Sequence, residues 1–200
     1  MSDLFQEKAQ DWDMNNVVVQ LSSGIGQAII NNINLHEDMQ VMDFGAGTGL
    51  ISGHIAPEVN KITAVDISES MLQQLAEKSE LQGKVDVVCQ DILEQALNQK
   101  FDLIVSAMAM HHVEDTAKMM QCFVEHLQDG GEIALADLDK EDGTFHPPGI
   151  KGVYHDGFAR EELEKLMLDA GFNSIKFVTA HTVDKEGKQF PVFLVTAKKA

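Results

Sequence analysis

Val41-Met42-Asp43-Phe44-Gly45-Ala46-Gly47-Thr48-Gly49-Leu50 joins a short apolar run to a turn rich in glycine. The chain then enters Ile51-Ser52-Gly53-His54-Ile55-Ala56, which reads as a helix ending before Pro57. Glycines at such a turn tolerate positive φ and let backbone approach a ligand closely. The helix behind them turns free N–H groups and its positive dipole end toward whatever sits there. A dinucleotide fingerprint needs glycines spaced G-x-G-x-x-G, so that the last one lets helix and strand pack closely. Counted from Gly45, that place holds Leu50, and glycine falls one residue early, at Gly49. Asp43, at the strand end, would repel a pyrophosphate and attract an ammonium or sulfonium. The loop therefore suits a nucleoside with a cationic tail better than one with a diphosphate.

Further segments follow in a fixed order: Ala64-Val65-Asp66-Ile67-Ser68, Cys89-Gln90-Asp91-Ile92, Phe101 to Val113 ending in His111-His112-Val113, and His126-Leu127-Gln128-Asp129-Gly130-Gly131-Glu132-Ile133-Ala134-Leu135. Together with the glycine turn they resemble the motifs of the class I S-adenosylmethionine-dependent methyltransferases, small-molecule branch, from Met39 to Leu138. The resemblance implies an α/β fold: a Rossmann-like, mostly parallel seven-stranded sheet with an antiparallel C-terminal hairpin and helices on both faces.

Composition bounds the partners. Two hundred residues fit one domain with a sizeable core. The formal charge is −17, with 15 Lys and Arg against 32 acids, whereas nucleic-acid binders need a basic face to displace counterions. Arg160 is the sole arginine, so bidentate clamping of phosphates is scarce. Cys89 and Cys122 form no C-x-x-C pair and are expected to be buried free thiols in a reducing compartment. Met1 to Lys8 has no signal-peptide pattern, and no apolar run approaches membrane-spanning length. These features predict a cytoplasmic chain without nucleic-acid or membrane partners; its oligomeric state is not readable.

Short apolar runs alternate with helical stretches, the pattern of a parallel sheet covered on both faces. Strands are expected near 39–44, 61–66, 84–90, 100–107 and 131–138, and helices near 49–56, 69–80, 115–128 and 159–170. Ser68 and Asp115 are placed as N-caps, and Gly130 and Gly171 as helix stops. Residues 172–183 and 190–198 alternate as a final hairpin around Asp184 to Lys188. The single domain divides into an N-terminal helical lid (1–35), a cofactor-binding core (36–138), a substrate-side loop (139–157) and a C-terminal helix and hairpin (158–200). The lid should hold two helices, the second around Val17 to Ile33, and a connection as long as 139–157 is usually functional.

Ligands of open α/β sheets bind beyond the carboxyl ends of the strands, at the switch point. The cofactor-binding residues expected there are Asp43, Gly45, Ala46, Gly47, Thr48, Gly49, Asp66, Ile67, Met71, Asp91, Ile92 and Ser106. Asp66 ends the second strand, where a carboxylate accepts hydrogen bonds from both ribose hydroxyls. Ile67 would pack on the adenine, Asp91 would accept from its amino group, and the Ile92 N–H would donate to a ring nitrogen. By the family resemblance Trp12 covers the methionine part of the cofactor, with cation–π attraction to the sulfonium. Lys8 is a weaker candidate for the cofactor carboxylate. His112, and after it His111, are the candidate catalytic residues, since imidazole takes a proton near neutral pH; pocket lining and plain structure remain alternatives for both. His146, His155 and Tyr154 are expected on the acceptor side. The spacing of His112, His146 and His155 matches no compact zinc signature, and no metal is expected. Segment 106–109 also lacks the Asn/Asp-Pro-Pro-aromatic motif of nucleic-acid amino-methylating enzymes.

The reading is an enzyme transferring a methyl group from S-adenosylmethionine to a small-molecule acceptor by in-line displacement. Two other classes stay in play: a nicotinamide-dependent oxidoreductase, disfavoured by Leu50 and Asp43, and a catalytically silent S-adenosylmethionine-binding protein. Residues 1–35 and 139–157 are expected to close as a lid ordered by the cofactor.

Overall fold

The computed structural model of the protein describes residues 3–200. Seven strands form one sheet in the order β3-β2-β1-β4-β5-β7-β6. They are β1 (Gln40–Phe44), β2 (Lys61–Asp66), β3 (Val85–Cys89), β4 (Phe101–Ala107), β5 (Leu127–Leu138), β6 (Phe172–Lys185) and β7 (Lys188–Lys199). Strands β1 to β5 run parallel, and β7 pairs antiparallel with both β5 and β6. The expected α/β architecture with its C-terminal hairpin is therefore the one observed. β1 and β4 are neighbours although β2 and β3 lie between them in the chain, so the switch point lies between them.

Strand periodicity sorts the apolar residues onto two faces. Val41, Ile62, Ala64, Leu103, Val105, Ala134 and Ala136 face Ile25 and Ile29 of α1 (Asn16–Asn32), Ile51 and Ile55 of α2 (Leu50–Ile55), and Leu72 and Leu75 of α3 (Glu69–Ala76). Met42, Val65, Ile104, Ile133 and Leu135 face Met119, Met120 and Phe123 of α4 (Thr116–His126), and Leu163 and Met167 of α5 (Arg160–Ala170). Helices thus cover both faces. Ser68 and Asp115 cap α3 and α4 as anticipated, accepting from the N–H groups of Met71 and Lys118. Gly171 ends α5 in the left-handed conformation.

Four local expectations need correction. Helix α4 stops at His126, not 128, because that imidazole is buried and tied at both nitrogens, to the Leu97 N–H at 3.0 Å and to the Cys122 carbonyl at 2.7 Å. Leu127 is already paired with Phe101, and Gly130 (φ 74°) sits in the irregular opening of β5 instead of ending a helix. Cys89 is exposed, because β3 forms the edge of the sheet; only Cys122 is buried. The first N-terminal helix is a short 3₁₀ segment, Ala9–Met14, before α1. No helix among the described residues is long and apolar enough to cross a membrane.

Candidate active site

The glycine turn leaves β1 with Gly45, Gly47 and Gly49 at φ values of 69°, 54° and 81°. Their neighbours show what each one does. A Cβ on Gly45 would lie 2.3 Å from Ala109 Cβ, and one on Gly49 2.6 Å from Leu75, so these two permit close packing onto the β4–α4 connection and α3. A Cβ on Gly47 would meet nothing within 4 Å. Gly47 is the member whose face looks onto open space.

Asp66, at the end of β2, receives the Gly47 N–H and the Ser68 N–H, each at 2.8 Å. Burial raises the pKa of this carboxyl above its ordinary value despite those bonds. Next to it Ile67 is 66% exposed, an apolar surface at a strand end with no protein partner to cover it. Asp43 lies deeper and is almost wholly buried; the Ser52 hydroxyl donates to it at 2.6 Å, and burial pushes its pKa up to about 6. Its carboxylate thus shapes the start of α2 from behind the turn. Asp91 is exposed and accepts from the Leu93 N–H, while Ile92, Met71 and Ser106 are buried. Ser106 Oγ lacks a hydrogen-bond partner and is closed off within the sheet beside Phe44.

Two acids that the sequence reading missed hold the N-terminal arm across this edge. Asp3 accepts from the Ser68 and Ser70 hydroxyls and from the Ser70 N–H at 2.7–3.1 Å. Asp13 accepts from the Thr48 hydroxyl at 2.6 Å and pairs with Lys78 at 2.6 Å. Between these anchors Phe5 stands edge-on to Trp12, with centroids 5.9 Å apart, and edge-on to His112 at 5.6 Å. Trp12 therefore lies in an aromatic row that reaches the histidines after β4.

Those histidines are positioned by a strained turn. Met108 adopts φ 56°, uncommon for a side chain of its size. The turn brings His111 against Asp137, near the end of β5: the ring Nδ1 and Asp137 Oδ1 are 2.8 Å apart, and the His111 N–H donates to Oδ2 at 3.1 Å. Both residues are buried. His112 Nδ1 donates to the Gly152 carbonyl at 2.5 Å, and burial together with the neighbouring His111 lowers its pKa. His146 packs on His111 at 4.9 Å and lies 6.3 Å from His112, and its Nε2 is buried without a partner. Burial and the two adjacent imidazoles drop its pKa to about 4.

The loop carrying His146 is itself held. Its ends pair through Lys140 with Phe158 and Glu141 with Asp156. Lys185 donates to the Phe145 carbonyl at 2.6 Å, and Lys188 binds Asp142 and Thr144. Loop and arm also meet, since a Cβ on Gly152 would strike Leu4 at 2.7 Å. Of the sequence-derived acceptor residues, then, His111, His112 and His146 come together, whereas His155 donates to the Val113 carbonyl and stacks on Phe158, and the Tyr154 side chain is exposed. Among the described residues, no group of three or more His, Cys, Asp or Glu is arranged to hold a metal ion. Asp137 carried the same signal as Asp43 and Asp66, an acid closing an apolar strand run, and could have been found by it. Asp3, Phe5 and Asp13 had no such signal.

A glycine turn after the first of the parallel strands, an acid at the end of the next strand, and a switch point between β1 and β4 define the Rossmann-like class. Comparison with known proteins narrows the class. A family model described as "Methyltransferase domain" matches residues 41–131. An uncharacterized methyltransferase of Schizosaccharomyces pombe is 28% identical over 74% of this chain, and a malonyl-[acyl-carrier protein] O-methyltransferase of Priestia megaterium is 23% identical over 70%. The chain spans 58% and 51% of these two relatives. Magnesium protoporphyrin IX methyltransferase of Synechocystis, solved with S-adenosylhomocysteine, superposes with a TM-score of 0.73 at 19% identity, covering 99% of this chain and 97% of that one. N-methyltransferase NodS of Bradyrhizobium japonicum gives 0.73 at 16% identity, covering 98% and 94%. Residues 41–131 are thus similar to a methyltransferase domain, and the chain shares its fold with these solved methyltransferases.

Proposed function

We propose that this protein transfers a methyl group from S-adenosylmethionine to a small-molecule acceptor. The observation that carries the reading is the open face of Gly47, framed by the Asp66 carboxylate and the exposed Ile67 and roofed by an arm bearing Trp12 and Phe5. That cradle fits an adenosyl group. Asp66 would exchange its two backbone donors for the ribose hydroxyls, Ile67 and the Asp91–Ile92 turn would hold the adenine, and Trp12 would close over the methionine part. When bound, S-adenosylmethionine supplies a methyl carbon already activated by a sulfonium. The protein's work is therefore alignment and the exclusion of water. His111 and His112 stand on the acceptor side, and His146 closes it. Tyr154 and His155 lie farther out, on the rim of the same loop. The arm and the 139–157 loop together make the lid.

The charge of −17 supports a metabolite over a nucleic acid, because nothing in the balance offsets phosphate repulsion. Two unpaired thiols, one of them exposed, support a reducing, cytoplasmic setting.

Calorimetry with S-adenosylhomocysteine and with NADH tests the cofactor. Stoichiometric binding of the first and none of the second is expected, and the reverse would restore the oxidoreductase reading. Turnover of methyl-labelled S-adenosylmethionine with a low-molecular-weight metabolite extract tests the reaction. Binding without any labelled product would leave a silent binding protein.

A further inference from the structure

We propose that His111 is the base that takes the acceptor's proton, that Asp137 is its positioning residue, that His146 fills the acceptor's place until the acceptor arrives, and that the acceptor is a hydroxyl compound. This rests on the methyl-transfer reading above.

The two adjacent histidines differ in what holds them. His112 gives its Nδ1 proton to a neutral carbonyl, that of Gly152 on the covering loop. His111 gives its Nδ1 proton to a carboxylate buried with it in the sheet. A ring fixed this way carries its lone pair on Nε2, and the carboxylate stabilises the imidazolium as the proton arrives. Asp137 is in turn fixed by backbone donors: the His111 N–H at 3.1 Å and the Leu138 N–H at 2.7 Å. Three donors converge on one buried carboxylate, so it orients His111 and is not free to pair with an ammonium on the acceptor. The other rings on His111 are His112 and His146, and Phe5 and Phe145 stand edge-on to these two in turn, so the wall is aromatic and uncharged. A thiolate, carboxylate or carbanion needs no base at all. A hydroxyl needs one and brings no charge into the pocket.

The acceptor oxygen forms a bond to the methyl carbon as the carbon–sulfur bond breaks and its electron pair stays on sulfur. The oxygen's proton passes to His111 Nε2 and later to water. His146 presses on the His111 ring with an unsatisfied buried nitrogen, so an acceptor that replaces it recovers a hydrogen bond that the empty site lacks.

The charged and titratable groups around His111 are Asp137 from β5, His112 from its own turn and His146 from the loop, with Lys8 and Lys185 acting on the last two. In the full-chain enzyme turning over the metabolite extract, Asp137→Asn should reduce kcat about 100-fold, with S-adenosylhomocysteine affinity unchanged. His111→Ala should lose about as much and be partly rescued by added imidazole. Mass spectrometry should place the new methyl on oxygen.

Two measurements need no acceptor. Nitrogen-15 spectra of the histidines should show His111 as the Nδ1–H tautomer, converted by Asp137→Asn. Diethyl pyrocarbonate should modify His111 faster in His146→Ala than in wild type. If both dyad variants bind S-adenosylhomocysteine and keep activity within threefold, with the His111 tautomer unchanged by Asp137→Asn, the base assignment falls and the methyltransferase reading stands. A methyl on nitrogen, sulfur or carbon overturns the hydroxyl class, and an unchanged modification rate overturns the role of His146. A wild-type protein that neither binds S-adenosylhomocysteine nor turns over overturns the underlying reading.

Discussion

Gly47 and Gly49 lie two residues apart with the same left-handed backbone and opposite surroundings. Alanine at either position costs about 1 kcal/mol of left-handed strain. At Gly49 the added carbon also drives into Leu75, and overpacking adds roughly 1–3 kcal/mol. Gly49→Ala should therefore lower the urea midpoint well below that of Gly47→Ala. Gly47→Ala should remain folded and lose S-adenosylhomocysteine affinity at least tenfold, because its methyl group points into the cleft. Equal midpoints, or an unchanged dissociation constant for Gly47→Ala, would contradict the division of labour in the turn. Asp43 makes a different prediction. Burial raises its folded pKa to about 6, against an unfolded value near 3.9. A carboxyl raised on folding contributes its full stability below the unfolded value and loses it as pH rises through the folded one. Asp43→Asn removes the charge and keeps an acceptor for Ser52, so it should be more stable than wild type above pH 7 by about 3 kcal/mol. The gap should close below about pH 4. A gap that does not change with pH would show that the buried carboxylate is not the cause.

At the scale of elements, the arm and the loop are each held by a few polar ties, and each can be loosened alone. Asp13→Ala removes the Thr48 bond and the Lys78 pair at one stroke. A loss of roughly 1 kcal/mol raises the open population of the arm about fivefold. Trp12 is the only tryptophan and lies one residue away, so its emission and its quenching by acrylamide report on the arm directly. A red shift and easier quenching are expected; spectra identical to wild type would mean that the arm is held elsewhere. The loop should respond to acid. The folded pKa of His146, about 4, lies below its ordinary 6.5, so its contribution is complete above 6.5 and is lost as pH falls toward 4. Hydrogen exchange in 141–157, corrected for intrinsic rates, should quicken between pH 7 and pH 5, and His146→Gln should abolish that dependence. An unchanged pH response in the variant would assign it to other groups.

Most of the whole molecule was legible because its sheet is built from local signals. Apolar runs of strand length ended by Asp43 and Asp66 gave the first strands, the glycine turn gave the switch point, and the Asp184 to Lys188 turn gave the final hairpin. What stayed hidden depends on contacts distant in sequence. His126 stops α4 only because Leu97 meets its ring, and Cys89 is exposed only because β3 has one neighbour. Asp3 reaches Ser68 and Ser70 across more than sixty residues, as the separations of 65 and 67 show, so no window of local periodicity contains the pair. The histidines were visible as residues, but their division into a carboxylate-held ring, a carbonyl-held ring and an unpartnered ring was not.

The ties of the arm have a kinetic consequence. Asp13 grips Thr48 of the glycine turn and Asp3 grips the turn after β2, so on the proposed reading the cofactor's two walls would also be the arm's two anchors. The proposed acceptor side would have its own cover, the 139–157 loop, which leans on the arm through Leu4 and Gly152 and through Phe5 and His112. Opening the loop leaves the arm's anchors in place, whereas opening the arm strips support from the loop. The methylated product should therefore depart first and the thioether last. An acceptor able to take several methyl groups would have to leave after each one before the donor could be renewed. Such an enzyme is distributive: early in a time course the singly methylated compound accumulates, and S-adenosylhomocysteine inhibits competitively against the donor and noncompetitively against the acceptor. A multiply methylated product that forms without a free intermediate would mean that the arm can open while the loop stays shut.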